Sequence, residues 1–146
     1  MKTFSAKPTD VKRKWYLLDA SKQTLGRVST QAAELLMGKG KPMFTKHIDC
    51  GDYVIVINSD KLKVTGNKLE GKKYYRHSGY PGNLRETTLG EKIEKDSTAV
   101  VVGSIRGMLP DNKLRAGGLN RLKVYKDDKH GHDAQQPEAV APRGGK

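Results

Sequence analysis

The sequence predicts a single α/β domain, and two observations carry that prediction. The first is length, because 146 residues match one ordinary domain and are enough to bury a core without disulfides or metals. The second is an opening unit of strand, helix and strand whose second strand, DYVIVINSD (52–60), is a nearly continuous apolar run. Such a strand is typically covered on both faces, as in a parallel sheet. The crossover is expected to be right-handed.

The first elements follow from local sequence signals. Residues 1–14 are polar and contain Pro8, which predicts an extended basic arm. The run WYLLD (15–19) predicts a buried strand. Between Thr24, a suitable N-cap, and Gly38, apolar residues recur at helical spacing and predict a helix of about three to four turns.

The middle of the chain is less regular. Residues 61–79 contain two short strand candidates between turn signals, and TLGEKIEKD (88–96) predicts a short amphipathic helix. A strand and a helix compete for residues 97–110. The helix is favoured because Ser97 is a suitable N-cap and Pro110 a suitable stop.

The last third of the chain mixes turn signals with one strand. The glycines of RGMLPDNKLRAGGLNRLK (106–123) suit either close approach to a sugar-phosphate chain or a plain loop. NRLKVYK (120–126) alternates apolar and basic residues and predicts a strand. The remaining residues have no periodicity and are expected to drape over the domain or to be disordered. We therefore divide the chain into an arm (1–14), an α/β domain (15–126) and a C-terminal extension (127–146).

Composition points to a polyanionic partner. Lysine and arginine outnumber acidic residues by 28 to 16, which gives a formal net charge of +12. Nucleic acid is the first candidate partner and an anionic membrane surface the second. A single cysteine, Cys50, excludes an intramolecular disulfide framework and a cysteine-based zinc site. We find no signal peptide and no apolar stretch of membrane-spanning length, and expect a cytoplasmic protein.

The positive charge is concentrated in three segments. Residues 1–47 carry 10 basic and 3 acidic side chains, residues 61–85 carry 7 basic and one acidic, and residues 102–126 carry 6 basic and one acidic. Acidic stretches separate these segments. The distribution favours one basic face assembled from distant parts of the chain over a uniformly charged surface.

The stretch KKYYRHSGYPGN (72–83) combines cations with aromatic side chains that can stack on bases. In a strand, Tyr74 and Arg76 share one face, whereas Lys73, Tyr75 and His77 share the other. We therefore expect one tyrosine to pack into the fold and its neighbour to face RNA. The sequence alone leaves open which is which.

Catalytic chemistry finds little support. Two segments are rich in glycine, GKGKPM (38–43) and GSIRGML (103–109). Neither has the spacing of a phosphate-binding or dinucleotide-binding loop. HIDCGD (47–52) gathers polar groups without a converging partner cluster, and we interpret it as a loop that caps a buried strand. His130 and His132 have metal-like spacing but lie in a polar tail, where contact with phosphates or bases is the better interpretation. We expect no catalytic site, no metal and no cofactor.

Several linked motifs resemble one family over residues 1–137. GMLPDNKL and RLKVYKDDKHGHDAQQP are similar to the C-terminal signature of bacterial large-subunit ribosomal protein number thirteen. MKTFSAKP, WYLLDASKQTLGRVST, HIDCGDYVIVIN, VTGNK and KKYYRHSGYPGNL match the family's pattern in the same order. The resemblance implies a three-layer α/β/α domain with a four-stranded, mainly parallel sheet. It also implies binding to large-subunit ribosomal RNA beside neighbouring ribosomal proteins, an early role in subunit assembly, and no small-molecule substrate.

Carried over to this chain, the family's RNA-facing segments correspond to the basic arm, the YYRHSGYPG loop, the GMLP region and the KHGHDAQQP tail. Individual candidates within the basic segments follow from charge and expected exposure. They are Lys12, Arg13, Lys14, Lys39, Lys41, Lys46, His47, Lys68, Lys72, Lys73, Tyr74, Tyr75, Arg76, His77, Tyr80, Arg106, Lys113, Arg115, Arg121, Lys123, Lys129, His130 and His132.

Two other functions stay open on the sequence. One is an RNA-processing or nucleotide-dependent enzyme, for which only His47, Asp49 and Asp52 are available. The other is a free-standing regulator that binds messenger RNA.

Overall fold

The computed structural model describes residues 4–142. Residues 1–3 of the predicted arm and 143–146 of the predicted extension lie outside this range. The strands are β1 (Trp15–Asp19), β2 (Tyr53–Ile57), β3 (Lys73–His77), β4 (Leu84–Thr88), β5 (Leu122–Val124) and β6 (Glu138–Ala139). The helices are α1 (Leu25–Met37), α2 (Lys68–Gly71), α3 (Leu89–Met108) and α4 (Leu114–Asn120), and single 3-10 turns occupy Pro8–Asp10, Ser59–Lys61 and Asp133–Gln135.

Four strands form one parallel sheet in the order β5-β2-β1-β6. β1 and β2 pair along their whole lengths, from Trp15 opposite Tyr53 to Asp19 opposite Ile57. The predicted α/β class and four-stranded parallel sheet are confirmed. The edge strand β6 comes from the region that we assigned to the C-terminal extension, so this region completes the sheet.

The helix predicted between Thr24 and Gly38 is confirmed as α1. It ends where Gly38 adopts a φ of +72°, the left-handed conformation that favours glycine after a helix. A Cβ atom at this position would also lie 2.3 Å from the carbonyl oxygen of Cys50. The end of α1 is therefore locked against the loop that leads into β2.

One face of the sheet packs against α1 and α3. Leu18, Val54 and Val56 are buried on that face, in one cluster with Val28 of α1 and Val101 of α3. Because α1 and α3 also contact each other, both helices form a single layer. Burial of these apolar side chains supplies the main stabilisation of the domain.

The opposite face of the sheet is covered by part of the C-terminal segment. The rings of Trp15 and Tyr53 stack there with centroids 4.3 Å apart, and the ring of His132 lies 5.2 Å from that of Trp15. The chain reaches this position between β5 and β6, which lie at opposite edges of the sheet. The three layers are thus the helices, the sheet and a tail segment that includes the turn Asp133–Gln135.

Helix α3 contains a kink that joins the two helices predicted separately at 88–96 and 97–110. Asp96 has non-helical angles of φ −158° and ψ 95°. Its carboxylate accepts hydrogen bonds from the backbone N–H of Thr98 at 3.1 Å and of Ala99 at 3.4 Å. The predicted N-cap at Ser97 is therefore wrong, and Asp96 fills that role. Ser97 is buried instead and donates a short hydrogen bond to Asp60.

The cap at Asp96 makes a pH-dependent prediction. A hydrogen bond from the Thr98 hydroxyl, followed by those from the backbone, lowers the pKa of Asp96. A depressed folded-state pKa gives stability that is present above the unfolded pKa of about 3.9 and lost as the pH falls through the folded value. We expect Asp96→Ala to have a lower Tm than the wild type near pH 7, and the difference to shrink progressively below about pH 4.

Thermal unfolding followed by circular dichroism over this pH range checks the prediction. The matched control is Asp128→Ala, which removes an exposed carboxylate without a hydrogen-bond or ion-pair partner in the described residues. Asp128→Ala is expected to leave Tm nearly unchanged. A difference between Asp96→Ala and wild type that stays constant down to about pH 3 would contradict an ionised cap.

Two further expectations need correction, and one strand was missed. Of the two strand candidates in residues 61–79, one is confirmed as β3 (Lys73–His77). The other is wrong, because residues 62–65 contribute only an isolated bridge from Lys63 to Thr24, and Lys68–Gly71 follows as one helical turn. The segment 106–123, which the sequence left open as a close-approach segment or a plain loop, contains the helix α4, which contacts both α1 and α3. Strand β4 was not predicted at all. Its sequence, LRETT, has no buried apolar alternation because the strand is largely exposed.

Candidate nucleic-acid interface

Strands β3 and β4 form an exposed hairpin, which we call the basic hairpin (residues 73–88). Its principal contacts outside itself are with α2 and α3. The loop turns through Gly79 and Gly82, with φ values of 89° and 75° that favour glycine. The hydroxyl of Ser78 accepts hydrogen bonds from the side-chain amide of Asn83 at 2.8 Å and the backbone of Tyr80 at 3.4 Å. The hairpin therefore presents an ordered tip to solvent.

The packing of the basic hairpin against the domain decides which tyrosine faces outward. Tyr74 is half-buried against the core, and the ammonium group of Lys92 lies 3.8 Å from its ring centroid. The ammonium group of Lys72 lies 5.4 Å from the same centroid. Tyr75 points the opposite way and is 63% exposed. The structure thus assigns Tyr74 to the fold and leaves Tyr75 available to a partner.

The face that carries Tyr74 also carries two directly opposed arginines. Arg76 pairs across the strands with Arg85, and directly opposite residues of an antiparallel pair share one face. Both side chains are exposed, and neither has a hydrogen-bond or ion-pair partner within residues 4–142. Like charges directly opposite each other are destabilising. The pair is therefore free to interact with an external anion.

The other face of the hairpin is less strongly charged. Lys73 pairs with Glu86 at 2.9 Å, and this hydrogen bond raises the pKa of Lys73. Both side chains are about half exposed, so the pair adds little stability. Tyr75, His77 and Leu84 lie exposed on the same face. This face offers aromatic and apolar area in place of a concentrated charge.

A second concentration of candidates surrounds a cavity of about 320 Å³, which we call the apolar groove. It lies between the end of α1 and the start of α4. Three predicted RNA-binding residues, Lys39, Lys46 and Arg115, line it. Arg115 donates to the carbonyls of Leu109 and Pro110, each at 3.1 Å. The sequence separated these cations by up to 76 residues, whereas the fold brings them together.

Arg121 was predicted to bind RNA, but the structure buries its side chain among internal contacts. Its side chain is only 7% exposed. The guanidinium forms a two-point ion pair with Asp49, donates to the carbonyl of Leu36 at 3.2 Å, and lies near the carbonyl of Asp52. Arg121 therefore holds the fold together, with four hydrogen bonds to groups inside the molecule.

Lys41 is similarly committed to the fold. Its ammonium group contacts Asp52 at 2.6 Å and the carbonyls of Lys12 and Cys50, each at 3.0 Å. Asp52 is buried and also accepts from the backbone N–H of Lys14 at 2.9 Å. Lys41 therefore stabilises the loop before β2, and its predicted RNA contact has no free donor to support it.

The loop HIDCGD (47–52) thus uses its acidic residues for structural anchoring. Asp49 pairs with Arg121 and lies 3.6 Å from Arg13. Exposed His47 lies 3.3 Å from the Ser5 hydroxyl. Because both carboxylates already neutralise fold-stabilising cations, they do not converge with His47 on a reacting centre. The interpretation of this loop as a cap on a buried strand agrees with these contacts.

The tail histidines are also used within the molecule. The Nε2 atom of His132 lies 2.8 Å from the hydroxyl of Tyr125. The backbone N–H of His132 donates to Nδ1 of His130 at 3.1 Å, and His130 lies 3.6 Å from Asp133. These contacts fix the tail against the sheet, while Lys129 next to them stays exposed.

Most other candidates are available to a partner. Among residues 4–142, exposed candidate cations without an ion pair are Lys12, Lys39, Lys46, Lys68, Lys72, Arg76, Arg106, Lys113, Lys123 and Lys129. Lys14 pairs with Glu138 at 3.3 Å, Lys68 lies 3.4 Å from the Thr65 hydroxyl, and Tyr80 is 75% exposed. RNA contact at each of these stays a prediction.

Arg85 and Lys92 were absent from the sequence-based selection. Arg85 lies in LRETT, a run without a strand signal, and its relation to Arg76 depends on the register of the hairpin. Within residues 4–142, no group of three or more histidine, cysteine or acidic side chains is arranged to hold a metal ion. No helix in this range combines the length and apolarity needed to cross a membrane.

Comparisons with known proteins agree with the sequence motifs. The family described as ribosomal protein L13 matches residues 13–131. A protein of Lawsonia intracellularis named large ribosomal subunit protein uL13 is 53% identical over 137 residues, which cover 94% of this chain and 95% of the relative. A protein of the same name from Kocuria rhizophila is 51% identical, and the match covers 94% of this chain and 94% of the relative. Another from Nitrosomonas europaea is also 51% identical, and the match covers 96% of this chain and 97% of the relative.

Proposed function

The chain belongs to the ribosomal protein L13 family, and on that basis we propose that it is a structural constituent of the large ribosomal subunit in the cytoplasm. The family is structural and non-enzymatic, which agrees with the structural use of Asp49 and Asp52. We further propose that the protein binds large-subunit ribosomal RNA, contacts neighbouring ribosomal proteins, and acts early in subunit assembly.

The opposed pair Arg76 and Arg85 is the observation that carries the RNA-binding proposal. Two unpartnered guanidinium groups on one face of an exposed hairpin suit the negative charge of a sugar-phosphate backbone. Neutralising phosphates releases condensed counterions, which makes binding favourable and salt-dependent. Tyr75 adds an exposed ring that can stack on an unpaired base.

The early assembly role rests on how the free cations are distributed over one rigid domain. Exposed cations lie on the hairpin, on the arm at Lys12, beside the groove at Lys39 and Lys46, and on α3 at Arg106. A body with several separate basic surfaces can join RNA segments that are distant along the RNA chain. Joining such segments favours compact intermediates before most other proteins have bound.

The test is binding to RNA that carries no other protein. We expect the purified protein to bind deproteinised large-subunit RNA more tightly than small-subunit RNA at physiological salt, and the tagged protein to co-sediment with large subunits. Filter binding with both RNAs and sucrose-gradient sedimentation measure these outcomes. Equal affinity for both RNAs contradicts specific binding. Binding that requires prior addition of other large-subunit proteins contradicts the early role alone.

A further inference from the structure

We propose that the apolar groove receives an unpaired nucleobase of RNA, while the phosphates beside that base are held by Lys39 and Lys46. This inference rests on the proposed RNA-binding function and gives it a second site, remote in sequence from the basic hairpin. Sequence-specific recognition of RNA commonly uses unpaired bases that enter apolar or aromatic sites.

The size and lining of the groove suit a single base. Its volume of about 320 Å³ lies at the lower end of the range of about 300–1,000 Å³ for small-molecule sites. One aromatic ring and several aliphatic side chains provide a largely apolar wall. The apolar lining residues are Leu36, Met37, Phe44, Ile48, Leu109, Pro110 and Leu114.

One polar group at the groove is suited to reading the edge of a base. The side-chain oxygen of Asn112 accepts from the backbone N–H of Leu114 at 3.1 Å. Its amide NH₂ makes no hydrogen bond with residues 4–142. An amide donor beside an apolar wall complements the carbonyl and ring-nitrogen acceptors of nucleobases.

The charges around the groove favour a nucleotide over an apolar side chain from a protein. Lys39 and Lys46 are exposed and lack ion-pair partners among the described residues. The acidic group of the groove, Asp49, is already neutralised by the two-point pair with Arg121. The rim is therefore positive, and it complements the phosphates on either side of an inserted base.

The decisive experiment compares two ligands of equal charge by methyl NMR of the whole protein. The probes are a mixed-sequence single-stranded RNA octamer and an abasic octamer with the same sugar-phosphate backbone. We expect the RNA octamer, but not the abasic octamer, to shift the methyl signals of Leu36, Ile48, Leu109 and Leu114. Both octamers are expected to shift the backbone signals of Arg76 and Arg85.

Each other outcome overturns a defined part of the argument. Hairpin shifts without groove shifts overturn base binding and leave the proposed function intact. Equal groove shifts with both octamers show a phosphate effect and also overturn it. If large-subunit proteins shift the groove methyl signals and the RNA octamer does not, base binding is overturned and the groove is a contact site for a neighbouring protein. Absence of shifts at both places, together with failed binding to large-subunit RNA, overturns the proposed function itself.

A charge-matched pair of variants provides a second measurement. Lys39→Ala with Lys46→Ala is expected to weaken binding of the RNA octamer and to lower its salt slope by about 1.4, since each single-strand phosphate contact contributes about 0.7. The control, Lys61→Ala with Lys95→Ala, removes two exposed lysines that lie outside the groove lining. Equal loss of affinity in both double variants contradicts a specific role for the groove.

Discussion

Replacing Arg76 and Arg85 together with glutamine is expected to weaken binding to large-subunit ribosomal RNA by roughly tenfold or more at physiological salt. Each arginine is exposed and unpaired within the described residues, so each is free to neutralise a phosphate. The slope of log affinity against log salt should fall by about 1.4 to 1.8 for two lost contacts. Filter binding across a salt series measures both quantities.

The same double variant should not be less stable than the wild type. Arg76 and Arg85 repel each other across the strands, so their neutralisation removes an unfavourable interaction from the free protein. We therefore expect an unchanged or slightly higher Tm together with weaker RNA binding. A substitution that acted by unfolding the hairpin would instead lower both.

The control for this prediction is Lys61→Gln with Lys95→Gln, which lowers the net charge by the same amount at exposed positions. A general charge effect would weaken RNA binding equally in both double variants. An unchanged salt slope in the arginine variant would remove the basic hairpin from the RNA interface. We do not expect the arginine double variant to bind small-subunit RNA tightly.

Elements that bury a regular apolar pattern were predictable from sequence. The helical spacing of α1 is visible because Leu25, Val28 and Leu36 are buried on one side of the helix. Its ends are visible because Thr24 and Gly38 are typical of the first and last positions of a helix. β2 is equally clear, since it is buried in the sheet and reads as a continuous apolar run. In both cases the buried positions must be apolar, so the burial that stabilises the element also produces the apolar pattern that predicts it.

α4 and β4 were missed because long-range contacts decide them. Gly117 and Gly118 lower helix propensity by about 1 kcal/mol each relative to alanine, but α4 is held between α1 and α3. β4 has mostly exposed side chains and forms because β3 pairs with it. Tertiary context overrides local preference in each case.

The site residues divide along the same line. Charge identified Lys73 and Arg76 of the hairpin and the lysines of the groove. It missed Arg85, and it could not separate a surface arginine from a buried one. Arg121 pairs with Asp49, which is 72 residues away in the sequence. No local sequence pattern predicts that ion pair. Tyr74 and Tyr75 were correctly expected to face opposite ways, while only the packing of the hairpin on the domain showed which one is exposed.

Replacing Arg121 with methionine is expected to destabilise the domain by about 3 kcal/mol. The substitution leaves the carboxylate of Asp49 without its main partner and the carbonyl of Leu36 without a donor. Asp49 is 23% exposed and has Arg13 at 3.6 Å, so the loss should fall near the lower end of the range for broken buried pairs. For a chain of this size the Tm should drop by roughly 10 °C.

The backbone around Arg121 is packed too closely for the site to rearrange when the guanidinium is removed. A Cβ atom at Gly51 would lie 1.7 Å from the carbonyl oxygen of Leu36 and 2.7 Å from the guanidinium of Arg121. The loop before β2, the end of α1 and the start of β5 are thus pressed together around one side chain. Arg106→Met is the matched control, because Arg106 is exposed without an ion-pair partner in the described residues and should lose little stability.

A double variant separates a structural role of Arg121 from a role in RNA binding. Asp49→Leu combined with Arg121→Met removes both charges, so it should be less destabilising than the sum of the two single variants. Urea unfolding of the three variants measures this coupling. Under conditions where Arg121→Met is folded, its salt slope for RNA should equal that of wild type, because the buried guanidinium neutralises no phosphate and therefore releases no counterions. A slope reduced by about one contact would instead place Arg121 at the RNA.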